Sequence, residues 1–211
     1  MRNVDLKDNG KVWERMPAAQ AKDFLQGKEY GIEHPSRIKV RNWLRNKYEV
    51  SKVKPSLLDV PCGSGVDFGL LAELTSYTGC DRTVSVVEGF KLNHPGIPVF
   101  ISDIRNLEAA DKSFDIVLAR AIFEHLPDIG EVELAMKECV RVAKEYVIFS
   151  FFIPLLETEH IDWNGNYFNN QYAKKDVEAI MKKLGLTWEH EFVGVEGTPY
   201  IDDYDIYFAK V

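Results

Sequence analysis

The sequence lacks the features that mark disulfide-bonded, metal-binding and membrane-spanning proteins. Its three cysteines, Cys62, Cys80 and Cys139, are odd in number and widely spaced, and no Cys-x-x-Cys pair suggests zinc or a redox centre. The longest apolar run, residues 147–156, is interrupted by a serine and a proline and is far shorter than the roughly 20 residues that cross a bilayer. We therefore expect free thiols, no metal site and no membrane partner.

Two further absences concern location and charge. The N-terminal segment Met-Arg-Asn-Val-Asp contains no apolar core of a signal peptide, so we expect a cytoplasmic protein. The net charge is −7, and no cluster of Lys and Arg exceeds the acid content around it. Because Lys and Arg that neutralise phosphates supply most of the affinity for nucleic acids, nucleic acid is a disfavoured partner. The sequence leaves the oligomeric state open.

The chain has the length and composition of a globular protein with an ample core. Its 211 residues are 45% hydrophobic and 28% charged, and a chain of this size buries about 70% of the surface that its unfolded form exposes. We predict one domain over residues 51–211. Residues 1–50 are predicted to be an N-terminal helical cap, since residues 36–48 carry apolar side chains at helical spacing.

The most informative stretch, residues 56–74, predicts a strand, a tight turn and a helix. Residues 57–60 include the short apolar run of a strand buried on both faces, and leucines within residues 70–74 recur at helical spacing. Gly63 and Gly65 fall in the turn, where a missing Cβ permits positive φ and lets a ligand lie against the backbone. Such a turn is typical of a site for a nucleotide-like cofactor.

The composition of this turn narrows the choice of cofactor. A dinucleotide site has the pattern Gly-x-Gly-x-x-Gly, but Phe68 stands where the third glycine belongs. No Gly-Lys-Ser/Thr follows, which excludes a phosphate loop. Asp59 instead precedes the glycines, and its charge would repel a pyrophosphate but attract an ammonium group.

These residues resemble the class I S-adenosylmethionine-dependent methyltransferases, in particular the small members of methyltransferase type 11 that act on small molecules. The first motif of that family is an acidic residue, a variable one and then Gly-x-Gly-x-Gly, and residues 59–65 here read Asp-Val-Pro-Cys-Gly-Ser-Gly. Pro61 replaces the first glycine, which fixes φ near a strand-end value and removes one amide donor. The resemblance implies S-adenosyl-L-methionine as the cofactor.

Acids at the ends of the next two predicted strands agree with this resemblance. Asp81 lies about twenty residues past the glycines, where a carboxylate can accept hydrogen bonds from a ribose. Asp103 and Ile104 follow the third strand, where the family has an acid that accepts from the adenine amino group and an apolar neighbour that packs on the ring. Each acid taken alone is also explained as a turn or cap residue, Asp81 beside Arg82 and Asp103 at a helix start.

The segment after the predicted fourth strand, residues 113–119, resembles the family's signature at that strand, in which Phe-Asp-x-Val is followed by a turn and a His-Leu pair. The resemblance implies that this turn meets the methionine part of the cofactor. The implied cofactor-binding set is Asp59, Pro61, Cys62, Gly63, Ser64, Gly65, Asp81, Arg82, Asp103, Ile104, Arg120 and His125.

If the acceptor loses a proton, a base must take it, and the candidates are histidines in the segments outside the predicted strands. His125 and His160 are the preferred candidates and His34 is a third, although any of them is equally explained as a structural histidine. His160 lies in the loop of residues 153–170, which is long and rich in aromatic residues. Loops of this length in compact domains are usually functional or disordered, and the aromatic content argues for the first.

The sequence thus predicts an α/β protein with a Rossmann-like, doubly wound, seven-stranded sheet. The sheet is expected to be mostly parallel with an antiparallel last strand, and an N-terminal helical extension precedes it. The favoured function is methyl transfer from S-adenosylmethionine to an N, O or C nucleophile of a small molecule by in-line displacement. The alternatives are a regulatory module that binds the cofactor without catalysis and, with less support, an NAD-dependent oxidoreductase.

Overall fold

The structure is a computed structural model of the whole chain. It describes residues 34–51, 53–152, 157–158, 162–163, 167–168, 170–194 and 204–211. The predicted N-terminal cap therefore contributes only its last part to the description, and most of the loop at residues 153–170 lies outside the described residues. The division of the chain at residue 50 stays a prediction.

The elements alternate between helices and strands. The helices are α1 (Pro35–Tyr48), α2 (Phe68–Leu71), α3 (Val84–Asn93), α4 (Ile129–Val142) and α5 (Lys174–Lys183). The strands are β1 (Ser56–Asp59), β2 (Ser76–Asp81), β3 (Val99–Ile101), β4 (Phe114–Ala119), β5 (Ala143–Phe152), β6 (Thr187–Val193) and β7 (Tyr204–Lys210). A 3-10 helix, Phe123–His125, follows β4, and Asp162–Trp163 pairs with Tyr167–Phe168 as a small hairpin.

All seven strands form one sheet in the order β3-β2-β1-β4-β5-β7-β6. Strands β1 to β5 pair in parallel, whereas β7 runs antiparallel to both β5 and β6. The strand order reverses between β1 and β4, which is the position where open α/β sheets bind ligands beyond the carboxyl ends of their strands. This topology confirms the predicted Rossmann-like sheet with its antiparallel last strand.

Helices cover both faces of the sheet because the central strands are apolar on both sides. On one face, Val40 and Leu44 of α1 and Phe90 of α3 pack with Leu57 of β1. On the other face, residues of α4 and α5 pack with Leu58 and the inward side chains of β4 and β5, among them Val132, Met136, Val177, Met181, Val117 and Val147. Continuous apolar strands of this kind need a helix layer on each side.

Two predicted elements differ in extent from those observed. The helix after the glycine turn is only four residues long, so the leucine spacing that predicted it extends into a turn. The predicted helix over residues 131–144 begins two residues earlier, where Asp128 accepts hydrogen bonds from the amides of Gly130 and Glu131, and ends at Val142. Ala143 already pairs with Phe114, since β5 contains an irregularity that adds one residue to its register with β4.

The close contact of β2 with the glycine turn gives a stability prediction. A Cβ on Gly79 would lie 2.9 Å from the Cys62 sulfur and 3.3 Å from Val99, whereas a Cβ on Gly69 would meet nothing within 4 Å. We expect Gly79→Ala to lower the free energy of unfolding by about 1–3 kcal/mol through overpacking. Gly69→Ala, a helical position, should raise it by up to about 1 kcal/mol. Urea unfolding of both variants measures these two free energies. Equal changes in Gly79→Ala and Gly69→Ala would contradict the close packing of β2 against the glycine turn.

Candidate active site

The predicted acids meet at one edge of the sheet because parallel strands place their carboxyl ends together. Asp59 ends β1 and is paired in register with Gly79 of β2 and with Leu118 of β4. Asp81 ends β2 and is paired in register with Ile101 of β3. Asp103 follows Ile101 by two residues. Neighbouring strands lie about 4.8 Å apart, so the acids of three adjacent strands and the glycine turn share this edge.

The glycine turn has the backbone shape that the sequence predicted. Gly63 and Gly65 have φ values of +52° and +86°, in the left-handed region that favours glycine. The amide of Cys62 donates to the carbonyl of Cys80 over 2.8 Å, which ties the turn to β2. Pro61 follows a cis peptide bond, and Ser64 is buried. The imidazole of His94 lies directly over Gly65, since a Cβ there would be 2.5 Å from Nε2 of His94.

Asp59 is a buried carboxyl group with one oxygen unused. Its side chain is 1% exposed, and Oδ2 accepts a hydrogen bond of 2.5 Å from the hydroxyl of Tyr77. Oδ1 is buried without a hydrogen-bond partner among the described residues. Burial and the nearby charge of Asp67 raise the pKa of Asp59 well above its usual range. A cationic hydrogen-bond donor at Oδ1 would stabilise the charged form.

Tyr77 is a functional neighbour that the sequence analysis missed. It faces Asp59 because it lies two residues before Gly79, the register partner of Asp59, and so on the same face of the sheet. This contact depends on the register of two strands, which no local pattern in the sequence reveals. Tyr77 thereby holds the carboxyl group of Asp59 in one orientation.

Asp81 is turned back toward the glycine turn. Its Oδ1 accepts from the amide of Thr83 over 2.9 Å, and its Oδ2 accepts from the amide of Gly63 over 3.3 Å. Burial raises the pKa of Asp81 despite these hydrogen bonds. The side chain of Thr83 also donates a hydrogen bond to this carboxyl group, so one of its four lone pairs remains after these three bonds.

Asp103 has a different environment, because guanidinium groups bind it. Nε of Arg105 donates to Oδ1 over 2.9 Å and Nη2 donates to Oδ2 over 2.6 Å, while Arg82 lies 3.5 Å from Oδ2. Burial alone would raise the pKa of Asp103, but the hydrogen bonds from Arg105 outweigh it and leave the pKa below its usual value. Arg82 therefore contacts the third acid, and Ile104 is buried in the core beside it.

Arg120 takes part in a buried ion-pair cluster that also includes Arg37 and Asp67. Nε and Nη2 of Arg120 both donate to Oδ2 of Asp67, over 3.0 and 2.7 Å. Nε of Arg37, on α1, lies 3.2 Å from Oδ1 of Asp67 and is not aligned for a hydrogen bond with it. The sequence analysis missed Arg37 and Asp67, whose meeting depends on how α1 packs against the turn.

The three candidate histidines are not brought to one place by the described structure. His34 is the N-cap of α1, where its Nδ1 lies 2.7 Å from the hydroxyl of Ser36. His125 is half-buried at the end of the 3-10 helix after β4, so it stands at the same edge as Asp59. His160 lies outside the described residues. The role of each histidine in catalysis stays a prediction.

The backbone between β4 and the 3-10 helix is unusual. Ala121 has a φ of +54°, a conformation that is rare for a residue with a Cβ. Its amide donates to the hydroxyl of Ser150 on β5 over 3.1 Å, which helps to hold this conformation. Non-glycine residues with such backbone angles occur often at functional sites.

Within the part of the chain that the structure describes, no group of three or more His, Cys, Asp or Glu side chains has the arrangement of a metal site. None of the helices found among the described residues combines the length and the apolar character needed to cross a membrane.

Comparison with known proteins shows similarity to methyltransferases. Residues 58–151, from β1 to β5, match the family model of a methyltransferase domain. No curated protein sequence is significantly similar to the chain. A crystal structure of 1,6-didemethyltoxoflavin-N1-methyltransferase from Burkholderia thailandensis, with its substrate and S-adenosylhomocysteine bound, superposes with a TM-score of 0.76 at 10% identity, covering 100% of this chain and 92% of that one.

Two other solved structures are similar over nearly the whole chain. Magnesium protoporphyrin IX methyltransferase from Synechocystis, with bound S-adenosylhomocysteine, has a TM-score of 0.72 at 15% identity and covers 96% of this chain and 99% of that one. An S-adenosylmethionine-dependent methyltransferase from Leishmania major has a TM-score of 0.71 at 15% identity, with coverage of 97% and 82%.

The fold is that of the class I methyltransferases, with the acids and the glycine turn at the edge where that fold has its site. The match of residues 58–151 to a methyltransferase domain agrees with the family predicted from the motif at residues 59–65.

The buried carboxyl group of Asp59 gives a prediction about stability and pH. A carboxyl group whose pKa is raised in the folded protein stabilises the fold at low pH, and this contribution is lost as the pH rises through the raised pKa. Asp59→Asn cannot ionise, so its stability relative to the wild type should increase by up to about 1.4 kcal/mol per pH unit above the usual carboxyl range.

Urea unfolding between pH 4.5 and 8, without added ligand, checks this prediction. Asp111→Asn is the control, since that side chain is 75% exposed. A difference between Asp59→Asn and wild type that stays constant or shrinks with rising pH would contradict the raised pKa of Asp59.

Gly65 and Gly96 form a matched pair for the shape of the glycine turn. Both have a φ of +86°, but a Cβ on Gly65 would press on His94 and Phe90, whereas one on Gly96 would meet nothing within 4 Å. Gly96→Ala should lose about 1–2 kcal/mol of stability from the left-handed backbone alone. Gly65→Ala should lose about 1–3 kcal/mol more from overpacking. Equal losses in thermal or urea unfolding would show that His94 moves away without cost.

Proposed function

We propose that the protein binds S-adenosyl-L-methionine and transfers its methyl group to a small-molecule acceptor by direct in-line displacement. The observation that carries the proposal is the unused, buried oxygen of Asp59 beside the glycine turn. A buried carboxyl oxygen without a partner is costly, and the ammonium group of the cofactor's methionine part is a donor of the right charge.

Asp59 has the properties expected of an ammonium site. Its second oxygen is fixed by Tyr77, so the group keeps its orientation before the ligand arrives. A positive charge within about 4–6 Å favours the ionised form of a carboxyl group, and ligand binding would therefore lower the raised pKa of Asp59. The methionine carboxylate would then lie toward Arg37 and Arg120, the two arginines that also contact Asp67.

Asp81 and Asp103 are proposed to hold the adenosine part. Asp81 keeps one acceptor position for a ribose hydroxyl, after its bonds to the amide of Gly63 and to the amide and side chain of Thr83. Asp103 is held ionised and oriented by Arg105, which suits an acceptor for the adenine amino group. Gly63, Gly65 and their neighbours Pro61, Cys62 and Ser64 supply the close backbone surface, and Ile104 and Arg82 flank the adenine end.

The reaction needs positioning more than covalent help from the protein. When bound, the cofactor supplies a methyl group on a positively charged sulfur. The residues around it hold the two reactants in line, an effect that contributes about 7–11 kcal/mol in well-oriented intramolecular reactions. The rigid turn after β4, with Ala121 bonded to Ser150, provides one wall of that arrangement.

The acceptor is proposed to be a small molecule, and two comparisons support this class. The similar structures from Burkholderia thailandensis and Synechocystis are named for methylation of 1,6-didemethyltoxoflavin and of magnesium protoporphyrin IX. His125 follows Arg120, a residue of the proposed methionine end, by five positions in the sequence and is the first candidate base. His160 is the second candidate. His34 is a weaker candidate because it already caps α1.

Two alternatives to methyl transfer were predicted from the sequence. A module that binds the cofactor without catalysis would have the same acids and glycines, and only turnover distinguishes it. An NAD-dependent oxidoreductase is disfavoured by Phe68 and by the buried carboxyl of Asp59, since a pyrophosphate carries the wrong charge for it. Thermal shifts with S-adenosylmethionine and with NAD separate these cofactors, because a ligand at a hundred times its Kd adds about 2.7 kcal/mol.

The role proposed for Asp81 can be measured directly. Asp81→Ala should weaken binding of S-adenosylhomocysteine by about 1–3 kcal/mol, or about 5- to 150-fold, since ribose hydroxyls would be left without acceptors. Calorimetry on wild type, Asp81→Ala and the surface control Asp111→Ala measures this. Unchanged affinity in Asp81→Ala would remove that residue from the site. A wild-type protein that binds NAD and not S-adenosylhomocysteine would overturn the proposed function.

A further inference from the structure

Glu124 is a buried acidic residue that the proposed cofactor site does not use. Its side chain is 1% exposed, and neither Oε1 nor Oε2 has a hydrogen-bond partner in another described residue, so that only the amide of Glu124 itself interacts with the carboxyl group. Buried carboxyl groups are normally paired or hydrogen-bonded, because removing a charge from water is costly. A group left in this state in a well-packed region indicates that its partner comes from outside the described structure.

The backbone that carries Glu124 is held firmly. Phe123, the preceding residue, is fully buried and stacks on Phe151 of β5 with ring centroids 4.5 Å apart. On the other side, the carbonyl of Leu126 accepts from the hydroxyl of Tyr172 over 3.0 Å and from the side-chain amide of Asn170 over 2.7 Å. The carbonyl of Glu124 itself accepts from the amide of Asn170 over 2.8 Å. The unpaired state of Glu124 is therefore not explained by a loose segment.

Glu124 lies along the site edge on the side away from Asp81 and Asp103, the residues proposed to hold the adenosine part. The order β3-β2-β1-β4 places Asp103, Asp81, the glycine turn and then the segment after β4 in sequence across the sheet. The proposed methionine end lies at β1 and β4, so the next position along the edge is where a second substrate would meet the methyl group. The backbone of Tyr167–Phe168, the second strand of the small hairpin, lies beside the 3-10 helix of Glu124.

We propose that Glu124 binds the methyl acceptor through an N–H or O–H group and takes up the proton that this group loses. The inference rests on the proposed methyl transfer and names the acceptor class for that site: an amine, a phenol or another hydroxyl compound. A carboxylic acid is excluded, since its carboxylate would be repelled by Glu124 and has no proton to give.

The step is balanced within the two reactants and this side chain. The acceptor nitrogen or oxygen forms one bond to the methyl carbon while the carbon–sulfur bond breaks with its electron pair left on sulfur. The acceptor's proton passes to an oxygen of Glu124, which later releases it to solvent. General bases of this kind contribute about 10²–10⁴-fold to the rate.

Burial and the charged groups around Glu124 shift its pKa in opposite directions. Burial raises the pKa of Glu124, while the charges of His125 and Arg120 act in the opposite direction. Tyr172, on the segment that holds the turn, also lies within electrostatic range of Glu124. A carboxyl group whose pKa is raised toward the working pH is a better base than an ordinary surface glutamate.

The test compares Glu124→Gln with wild type and with Glu88→Gln, an exposed glutamate on α3. The probes are S-adenosylhomocysteine for binding and methyl-labelled S-adenosylmethionine with single alkyl amines, phenols and carboxylic acids for turnover. We expect the Kd for S-adenosylhomocysteine to change less than twofold in both variants. We expect amines or phenols, and not carboxylic acids, to be methylated, and Glu124→Gln to lower kcat/KM at least 100-fold.

A pH profile separates a base from a residue that only supports the fold. The kcat/KM of the wild type and of Glu88→Gln should rise with pH through one ionisation and then level off, and this limb should be absent in Glu124→Gln. Turnover by Glu124→Gln at the wild-type rate, methylation confined to carboxylic acids, or loss of S-adenosylhomocysteine binding in Glu124→Gln would each overturn the inference. Failure of the wild type to bind S-adenosylhomocysteine would instead overturn the proposed function.

Discussion

A carboxyl group buried at the end of β1 with one oxygen unused is the constraint on which the site depends. Asp59 can occupy this position because Tyr77 satisfies its other oxygen and because strands β2 and β4 enclose it on both sides. Without a cationic partner the charged form is costly, so the fold disfavours ionisation there. The edge of the sheet is thus prepared for a ligand that brings a positive charge close to a glycine turn.

The acids along this edge differ in the direction of their pKa shifts. The difference arises because an arginine, Arg105, binds both oxygens of only one of them, Asp103. Burial raises the pKa of Asp59, Asp81 and Glu124. Asp103 is also partly buried, but Arg105 binds both of its oxygens and keeps it ionised. Residues with raised pKa values tend to cluster at functional sites. The cost of burying a charged group can be tolerated there because the ligand offsets it on binding. The same edge therefore contains an acid bound by arginine, Asp103, an acid bound by backbone amides, Asp81, and two buried acids with an oxygen that no other described residue binds, Asp59 and Glu124.

The sequence was enough to predict the residues whose roles follow from local pattern. The acid, the glycines and their spacing identified Asp59, Gly63 and Gly65, and the alternation of strands and helices predicted which further acids reach the same edge. Parallel strands make this extrapolation reliable, since each carboxyl end arrives at one side of the sheet. The match to a methyltransferase domain over residues 58–151 agrees with that reasoning.

The residues that the sequence did not reveal are those that depend on register or on packing between distant elements. Tyr77 meets Asp59 through the pairing of β1 with β2, and Arg37 meets Asp67 through the position of α1. The sequence analysis did not single out Glu124, and only its burial without a partner in another described residue distinguishes it from a surface acid. Periodicity assigns residues to elements, but it does not say which side chains from different elements meet.

The order of strands also explains why the acceptor is harder to read from sequence than the cofactor. The proposed adenosine and methionine contacts come from strand ends and a glycine turn, whose geometry the sheet itself fixes. The acceptor would instead meet the segment after β4, the hairpin after β5 and the residues before α1, which are connections between elements. Such connections vary freely while the sheet is kept, and the similar structures share the fold at only 10–15% identity. Glu124 is a buried acid in one of these connections, which Phe123 fixes to β5 and the amide of Asn170 fixes at its carbonyl. In the proposed role it would restrict the chemistry of the acceptor, which the geometry of the sheet does not.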